Sequence, residues 1–503
     1  MKIFNADQIR AWDAFTIEHE PISSVELMNR AALAFTSWLT EQYPDETRPI
    51  IVLAGTGNNG GDGVAVARLL YRRFYAPKVW VCDFSGRHSA DFDAQIEALP
   101  ADQAVPLRWL KSAADLPEFP PDALFIDALF GTGLNRPLEG EWAVLIQRLN
   151  ALPLEMVSID LPSGLFCDET TTGACVEADR TFTFQQPKRA FFFPENAQRV
   201  GAWTIGEIGL HPEFAGQTPS DFYYLDAAEA RQLVLPRAKF SHKGSFGHAL
   251  LVAGSRGKMG AAVLATRAVL RAGAGLLTVH VPAAGLDILQ TAVPEAMCSI
   301  DSHAEVWTDF VTIDTYTAVG VGPGIGADSR TAEALENLIR SARSPLVLDA
   351  DALNLLAEHP EWWPEVPENS ILTPHPKEFA RLFGTFSSDF ERNAALRTKA
   401  IQHRVVIVLK GAHSAIACPD GSVWFNSTGN PGMATGGSGD VLTGLLTGLL
   451  ASGYLPAHAA RLGVFLHGLA GDCAARHLSQ PGMTAGDLCE AIPPAWKILV
   501  DPS

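Results

Sequence analysis

Short, continuous apolar runs that end in Gly, Asp or Lys and give way to helical periodicity recur along the whole chain. Runs without polar alternation are what strands buried on both faces of a parallel sheet look like. In the first half they fall at 49–54, 78–82, 123–126 and 156–159. After residue 240 the pattern restarts at 248–253, 276–281, 318–321, 345–348 and 405–409. The succession predicts an α/β fold in each half. Between the halves, 211–220 (HPEFAGQTPS) breaks all periodicity with two prolines and a glycine, which predicts a boundary near 211–225. Two domains are expected, 1–215 and 225–500. The halves do not align motif for motif, so the arrangement is a fusion, not a duplication.

Parallel α/β sheets bind ligands at the carboxyl ends of their strands, so polar residues that close apolar runs are the place to look. Asp127, Asp160, Asp349 and Lys410 all close such runs. One charged strand end can simply mark the surface; four together favour chemistry.

Charge narrows the partners. Fifty-six acidic against 38 basic residues give a net charge of -18, a field that repels nucleic acid and anionic membranes. The same field opposes phosphorylated ligands, so any nucleotide must be held locally by loop N–H groups, helix N-termini, a lysine or a cation. The seven cysteines lie far apart without a C-x-x-C pair, which predicts a reducing, cytoplasmic setting. The first seven residues lack an apolar signal-peptide core, and the greasiest stretch, 441–451, is too short to cross a bilayer. A protein free of membranes is expected, acting on small molecules. A homo-oligomer is expected as well, its subunit count left open.

In the first half an apolar strand runs into Gly55-Thr56-Gly57-Asn58-Asn59-Gly60-Gly61-Asp62-Gly63 and then a helix predicted over 64–71. Gly55, Gly57 and Gly60 spell the G-x-G-x-x-G of dinucleotide folds, and Asp83 stands near where a ribose-binding acid would be. The polar side chains argue against an ordinary dehydrogenase, whose fingerprint mainly needs small residues. Asn58, Asn59 and Asp62, with Asp127 and Ser163, make either a hard-oxygen cage for a cation or a loop whose side chains satisfy its own turn. Gly131-Thr132-Gly133-Leu134-Asn135-Arg136-Pro137 suits a pyrophosphate. Asp160, opening Asp160-Leu161-Pro162-Ser163-Gly164, is the candidate acid/base, the alternative being a cap or turn.

The second half carries a sharper signal. Asn430-Pro431-Gly432-Met433-Ala434-Thr435-Gly436-Gly437-Ser438-Gly439-Asp440 leads straight into an apolar helix. Glycines let the backbone approach oxygens closely, and a helix N-terminus stabilises developing negative charge. A mere cap needs no glycines ahead of it. The P-loop signature is missing, its nearest approach being Gly254-Ser255-Arg256-Gly257-Lys258-Met259. Lys410-Gly411-Ala412-His413-Ser414 offers a cation, flexible backbone and a hydroxyl for a nucleotide, or a plain β-turn. His375, between two prolines, is a candidate ligand contact or a turn histidine.

Together the motifs at 58–62 (NNGGD), 160–164 (DLPSG), 243–275 and 429–441 resemble the bacterial bifunctional NAD(P)H-hydrate repair enzymes, over nearly the whole chain. In that family an NAD(P)H-hydrate epimerase is joined to an ADP-dependent (S)-NAD(P)H-hydrate dehydratase. The resemblance implies an α/β protein: a Rossmann-like α-β-α sandwich followed by a ribokinase-like domain. It implies that Asn58, Asn59, Gly60, Gly61, Asp62, Gly131 to Pro137 and Asp160 bind the hydrate in the epimerase, and that Asn59, Asp127 and Ser163 hold K+. In the dehydratase, Ala262, Gly324, His375 and Asp440 would meet the hydrate, and Lys410, Gly411, Ala412, His413, Ser414 and Gly439 the ADP or ATP, with Mg2+. Lys377 departs from the glycine expected after His375-Pro376.

Hydroxide is a poor leaving group, so the resemblance implies phosphorylation of the ring hydroxyl, with Asp440 as base, followed by elimination of phosphate. Only one epimer would fit, which gives the epimerase its purpose. The rival readings are a small-molecule kinase of the ribokinase-like class, a non-catalytic nucleotide-sensing first domain, and a dehydrogenase.

Overall fold

The computed structural model describes residues 1–99 and 105–501. The chain forms two compact units, Lys2–Ser220 with Ser388–Phe390, and Asp221–Ser387 with the chain from Glu391 on. The segment around 211–225, which lacks periodicity, carries a short helix at Pro212–Gln217 and a strand that begins at Phe222.

The N-terminal unit is built on seven parallel strands: β1 (Ile50–Ala54), β2 (Pro77–Cys82), β3 (Leu107–Leu110), β4 (Leu124–Ala128), β5 (Glu155–Ile159), β6 (Arg180–Phe184) and β7 (Ala202–Gly206). They lie in the order β3-β2-β1-β4-β5-β6-β7. Successive residues of a strand point to opposite faces, and β1 is buried on both. Val52 and Ala54 pack with Phe35, Leu39 and Val64, while Ile51 and Leu53 pack with Leu145 and Ile146. That is the three-layer sandwich expected. The order reverses between β1 and β4, and the crevice beyond their carboxyl ends is where such sheets place ligands.

One correction concerns the glycine-rich segment after β1. It is not a loop leading to a helix at 64; the helix already runs from Asn58 to Arg72. The reason is close packing. A Cβ on Gly60 would lie 1.8 Å from the Gly55 carbonyl oxygen, and one on Gly63 would lie 2.5 Å from Ala128 Cβ. The glycines let this helix settle directly onto β1 and β4.

The C-terminal unit carries β8 (Phe222–Leu225), β9 (His248–Val252), β10 (Leu276–Val281), β11 (Met297–Ile300), β12 (Ala318–Val321), β13 (Leu346–Leu348), β14 (Ile371–Leu372), β15 (Val406–Leu409), β16 (Ala415–Ala417) and β17 (Val423–Asn426). Their order is β8-β17-β16-β15-β14-β13-β12-β9-β10-β11. From β11 across to β15 the pairing is parallel, and β15, β16 and β17 form an antiparallel meander. The greasy stretch near 441–451 is the helix Ser438–Ala451, seated on the helix Met259–Ala272. Gly444 and Gly448 make the contact possible, since Cβ atoms there would stand 2.2 Å from the Ala265 and 2.6 Å from the Val269 carbonyl oxygens. No described helix is long and apolar enough to cross a membrane.

Candidate active sites

In the N-terminal unit a cavity of 1210 Å³ opens at the carboxyl ends of β1, β4 and β5. Asn58, Asn59, Asp62, Gly131, Thr132, Gly133, Leu134, Asn135, Arg136 and Asp160 all line it. Of the other residues expected at the substrate, Gly60 and Gly61 are buried in the first turn of the helix Asn58–Arg72, where a Cβ on Gly61 would press on the cavity-lining Met28 at 2.9 Å, and Pro137 packs beside Gly173. Small size at 60 and 61 serves helix packing.

Asp160 follows β5 directly and adopts a φ of +64°, a left-handed conformation costly for a non-glycine residue. It is held by Lys188, whose Nζ donates to Asp160 Oδ1 at 2.6 Å, by the Phe184 N–H at 3.0 Å and by the Thr183 hydroxyl at 3.3 Å. Lys188 is 1 % exposed. Three further carboxyl groups, Asp13, Asp62 and Asp91, line the same cavity. Burial, then repulsion from Asp160, raises Asp13 to a pKa of about 7 against a smaller opposing pull from Lys188. Burial, then Asp160 and Asp13, raises Asp62 well above the carboxylate range.

Beside the cavity Asp127 is fully buried. Its carboxylate accepts from the Ser163 hydroxyl at 2.5 Å, the Ser163 N–H and Ser158 hydroxyl at 2.8 Å, and the Leu129 N–H at 3.2 Å. Burial raises its pKa and these donors oppose the rise. Asn59 Nδ2 donates to the Phe130 carbonyl at 2.9 Å, and Ser163 Oγ lies 3.2 Å from that same oxygen. Asn59, Asp127 and Ser163, far apart in sequence, thus meet around one backbone carbonyl. Asp83 is otherwise engaged: it pairs with Lys111 and accepts the Gly86 N–H.

In the C-terminal unit the turn before Ser438–Ala451 stands over a buried ion pair. Gly437 has a φ of +92°, and a Cβ on Gly439 would sit 3.4 Å from Lys410 Nζ and 3.7 Å from Asp349 Oδ2. Lys410, at the end of β15, donates to Asp349 Oδ1 at 2.8 Å and lies 3.8 Å from Glu378 Oε2. The Thr443 hydroxyl, one helical turn beyond Gly439, donates to Asp349 Oδ2 at 2.6 Å. Burial works against ionisation of Asp349, but Lys410 and Thr443 outweigh it and hold the carboxyl below the usual range. Asp440, in the first helical turn, lacks such a partner. Burial and then Asp349 raise it to a pKa of about 6, with Lys410 opposing. The first N–H groups of a helix have no intrahelical acceptor, so this turn presents donors and a weakly basic carboxylate together. Half-buried His467 hydrogen-bonds the Ser438 carbonyl through Nε2 at 3.0 Å; desolvation lowers its pKa to about 4, so the ring is neutral and donates.

The other expected residues are placed variously. His375 caps the helix Pro376–Phe383, its Nδ1 accepting the Lys377 and Glu378 N–H groups. Gly324 has a φ of +67° and its carbonyl accepts the Ser255 hydroxyl. Ala262 has no exposed surface; it lies in the core beside the Gly254 turn and does not form a wall of the site. Gly411 and Ala412 are exposed, while the Gly411 N–H donates to Ser414 Oγ and His413 Nδ1 to the Asn426 carbonyl. Sequence reasoning missed Lys188, Asp13, Glu378, Thr443 and His467. Only Lys188 had a local signal, a lone lysine soon after the strand 180–184 amid apolar and aromatic residues.

A carboxylate and glycines at a helix N-terminus, above a lysine and at the ends of parallel strands, define a ribokinase-like phosphoryl-transfer fold, here joined to a Rossmann-like unit with its own carboxylate-lined cavity. Comparison with known proteins agrees. A family profile described as NAD(P)H-hydrate dehydratase matches residues 249–494, and one described as YjeF-related protein N-terminus matches 24–190. The chain is 35% identical over 510 residues to the bifunctional NAD(P)H-hydrate repair enzyme of Moorella thermoacetica, covering 98% of this chain and 96% of that one. It is 34% identical to the enzyme of the same name from Escherichia coli, covering 97% and 92%. The crystal structure of the ADP/ATP-dependent NAD(P)H-hydrate dehydratase of Bacillus subtilis, co-crystallised with ATP and Mg2+, matches with a TM-score of 0.51 and 34% identity, over 55% of this chain and 98% of that one. The chain belongs to the bifunctional NAD(P)H-hydrate repair enzyme family, and it is both an NAD(P)H-hydrate epimerase and an ADP/ATP-dependent dehydratase.

Proposed function

We propose that the unit up to about residue 215 interconverts the R and S hydrates, and that the unit from about 225 to 500 restores NAD(P)H from the S form at the expense of ADP or ATP. The observation that carries the second half is the position of Asp440 at a helix N-terminus beside the Lys410–Asp349 pair. Asp440 removes the proton of the ring hydroxyl as that oxygen attacks the terminal phosphorus. Lys410, the Gly439 N–H and the helix N-terminus stabilise the phosphoryl oxygens. The transfer releases AMP when ADP is the donor; the ring-nitrogen lone pair then expels phosphate, and loss of a proton from the adjacent ring carbon restores NAD(P)H.

No group of three or more acidic, His or Cys ligands that could hold a metal occurs among the described residues. That suits an ion that arrives on the nucleotide, for Mg2+ in phosphoryl-transfer sites commonly takes one or two carboxylates and completes its shell from phosphates and water. Asp349, beside Gly439, is the carboxylate that would hold it, leaving Asp440 free as the base, and bound Mg2+ would neutralise charge on the phosphoryl group. His375, Gly324 and Asp440 face the hydrate; Gly411 to Ser414 complete the nucleotide site.

In the epimerase unit Asp160 is the acid/base, and Asn58, Asp62 and the 131–136 loop hold the dinucleotide. Asn59, Asp127, Ser163 and the Phe130 carbonyl are hard oxygen donors around a fully buried carboxylate whose hydrogen bonds come from hydroxyl and N–H groups alone. A monovalent cation fits that set, and K+ there would balance Asp127 and steady the 131–136 loop. Free cysteines throughout suit the cytoplasm, and homo-oligomerisation is the expected assembly, to be read by light scattering.

The deciding experiment incubates the chain with R and S hydrates of NADPH separately, with ADP. The expected result is NADPH with AMP and phosphate from S at once, and from R only with a functional epimerase site. A stable phosphorylated hydrate as end product would instead make the C-terminal unit a kinase.

A further inference from the structure

We infer that Asp13 is a second proton-transferring residue of the epimerase site, lining the same cavity as the Asp160–Lys188 pair. The inference rests on the epimerase reading above. It starts from where Asp13 is carried. The helix Ala6–His19 lines the cavity with Ile9, Arg10, Trp12, Asp13 and Ile17, so that Arg10 and Asp13 stand among apolar side chains. Among the described residues no hydrogen bond or ion pair is recorded for the Asp13 carboxyl, although it lines the same cavity as Asp160 and Lys188.

A buried carboxyl with no partner is costly as an anion and persists as the neutral acid. Every charged neighbour pushes one way or the other. Asp160 faces it from the end of β5 and repels an anion, while Asp62 and Asp91 line the same cavity from the helices Asn58–Arg72 and Ala90–Glu97. Arg10, Arg87, Arg136 and Lys188 line the cavity as cations, but Lys188 is taken by Asp160 at 2.6 Å. The balance leaves Asp13 protonated up to neutral pH.

Inversion at a carbon that bears a hydroxyl next to a ring nitrogen needs what this pair supplies. The C–O bond breaks as the nitrogen lone pair forms the C=N bond. The departing oxygen takes the Asp13 proton and leaves as water, so no free hydroxide forms. Water then adds to the opposite face, closes a new C–O bond, returns the electron pair to nitrogen and gives its proton to Asp160. Because the reverse reaction runs by the same steps, a neutral acid and an anionic base on one ring serve both directions. Each passage leaves Asp13 ionised and the proton on Asp160; exchange of both carboxyls with solvent water resets the pair, and with that step water and protons balance.

The test follows exchange of R and S hydrates by chromatography in the full chain for Asp13→Asn, Asp13→Glu and Asp160→Asn, with dehydration of S hydrate as the control for a folded protein. Asp13→Asn is expected to lose at least about 100-fold in exchange and to lose the alkaline fall in rate that the wild type shows above about pH 7. Asp13→Glu should recover part of the rate and the alkaline limb. Wild-type exchange with an unchanged pH profile in Asp13→Asn, beside an inactive Asp160→Asn, overturns this inference alone. Retained exchange in both variants overturns the epimerase reading itself.

Discussion

Each unit ends a parallel strand with an aspartate and sets a lysine against it, yet the two pairs stand differently to the chemistry. In the N-terminal unit Lys188 binds the strand-end carboxylate Asp160, itself the proposed acid/base, at 2.6 Å. In the C-terminal unit Lys410 binds the strand-end carboxylate Asp349 at 2.8 Å, and the proposed base is a further residue, Asp440, with no hydrogen bond or ion pair of its own among the described residues. Burial and a second carboxylate press on Asp440 and make it a better base. The first arrangement needs its neutral acid from elsewhere in the cavity. The second carries its base in the phosphate-binding turn, within reach of the cation that steadies the transferring group.

The largest effect should come from breaking the second arrangement at its free carboxylate. Asp440→Asn keeps the shape of the turn and removes the base, so turnover of S hydrate with ADP should fall by about 10²- to 10⁴-fold, while R–S exchange stays at the wild-type rate. A wild-type dehydration rate in this variant would remove Asp440 from the chemistry.

Next come the two ion pairs themselves. Lys188→Met leaves Asp160 buried without its counter-charge, a change that costs about 3–5 kcal/mol when a buried pair loses one partner. Lys410→Met should cost less, because its side chain is 21 % exposed against 1 % for Lys188. Thermal melts of the two variants rank them. Asp349→Asn added to Lys410→Met should restore most of the lost melting temperature and none of the dehydration, which separates the structural part of the pair from its part in phosphoryl transfer.

The pH dependence of dehydration is the third contrast. Asp440 must be ionised to accept a proton, and its pKa is raised to about 6. The rate with saturating S hydrate and ADP should therefore rise with pH through about 6 and be lost as pH falls through it. Asp440→Glu should shift that limb, and a flat profile between pH 5 and 7 would mean that some other group limits the step.

The same contrast marks how far the residues could be read in order. Asp127, Asp160, Asp349 and Lys410 were readable because each closes an apolar run, and the 58–62 and 436–440 motifs because their parts are adjacent. Asp13 and Lys188 were not, since one comes from the first helix and the other from beyond β6, and only the fold brings them to Asp160. Some strands were missed for a related reason. β3 and β7 expose alternate or successive residues to solvent, and β14 is two residues long, so none of them makes a continuous apolar run. The glycines after β1 carried the opposite trap, for tight helix packing and a phosphate-binding loop demand the same residue.

The smallest effect should come from Lys377, where family resemblance led to the expectation of glycine. Its side chain is exposed and its N–H donates to His375 Nδ1 at 3.0 Å as part of the cap of the helix Pro376–Phe383. That bond needs the backbone alone, so Lys377→Gly keeps it. Glycine in a helix interior costs about 1 kcal/mol relative to alanine, and in a first turn already fixed by Pro376 and the His375 cap the loss should be smaller. The expected result is a melting temperature within a few degrees of the wild type and an unchanged KM for S hydrate. A marked fall in KM would show that the lysine side chain keeps the ligand away from this turn, and that the close approach glycine allows is worth more to the dehydratase than the cap geometry indicates.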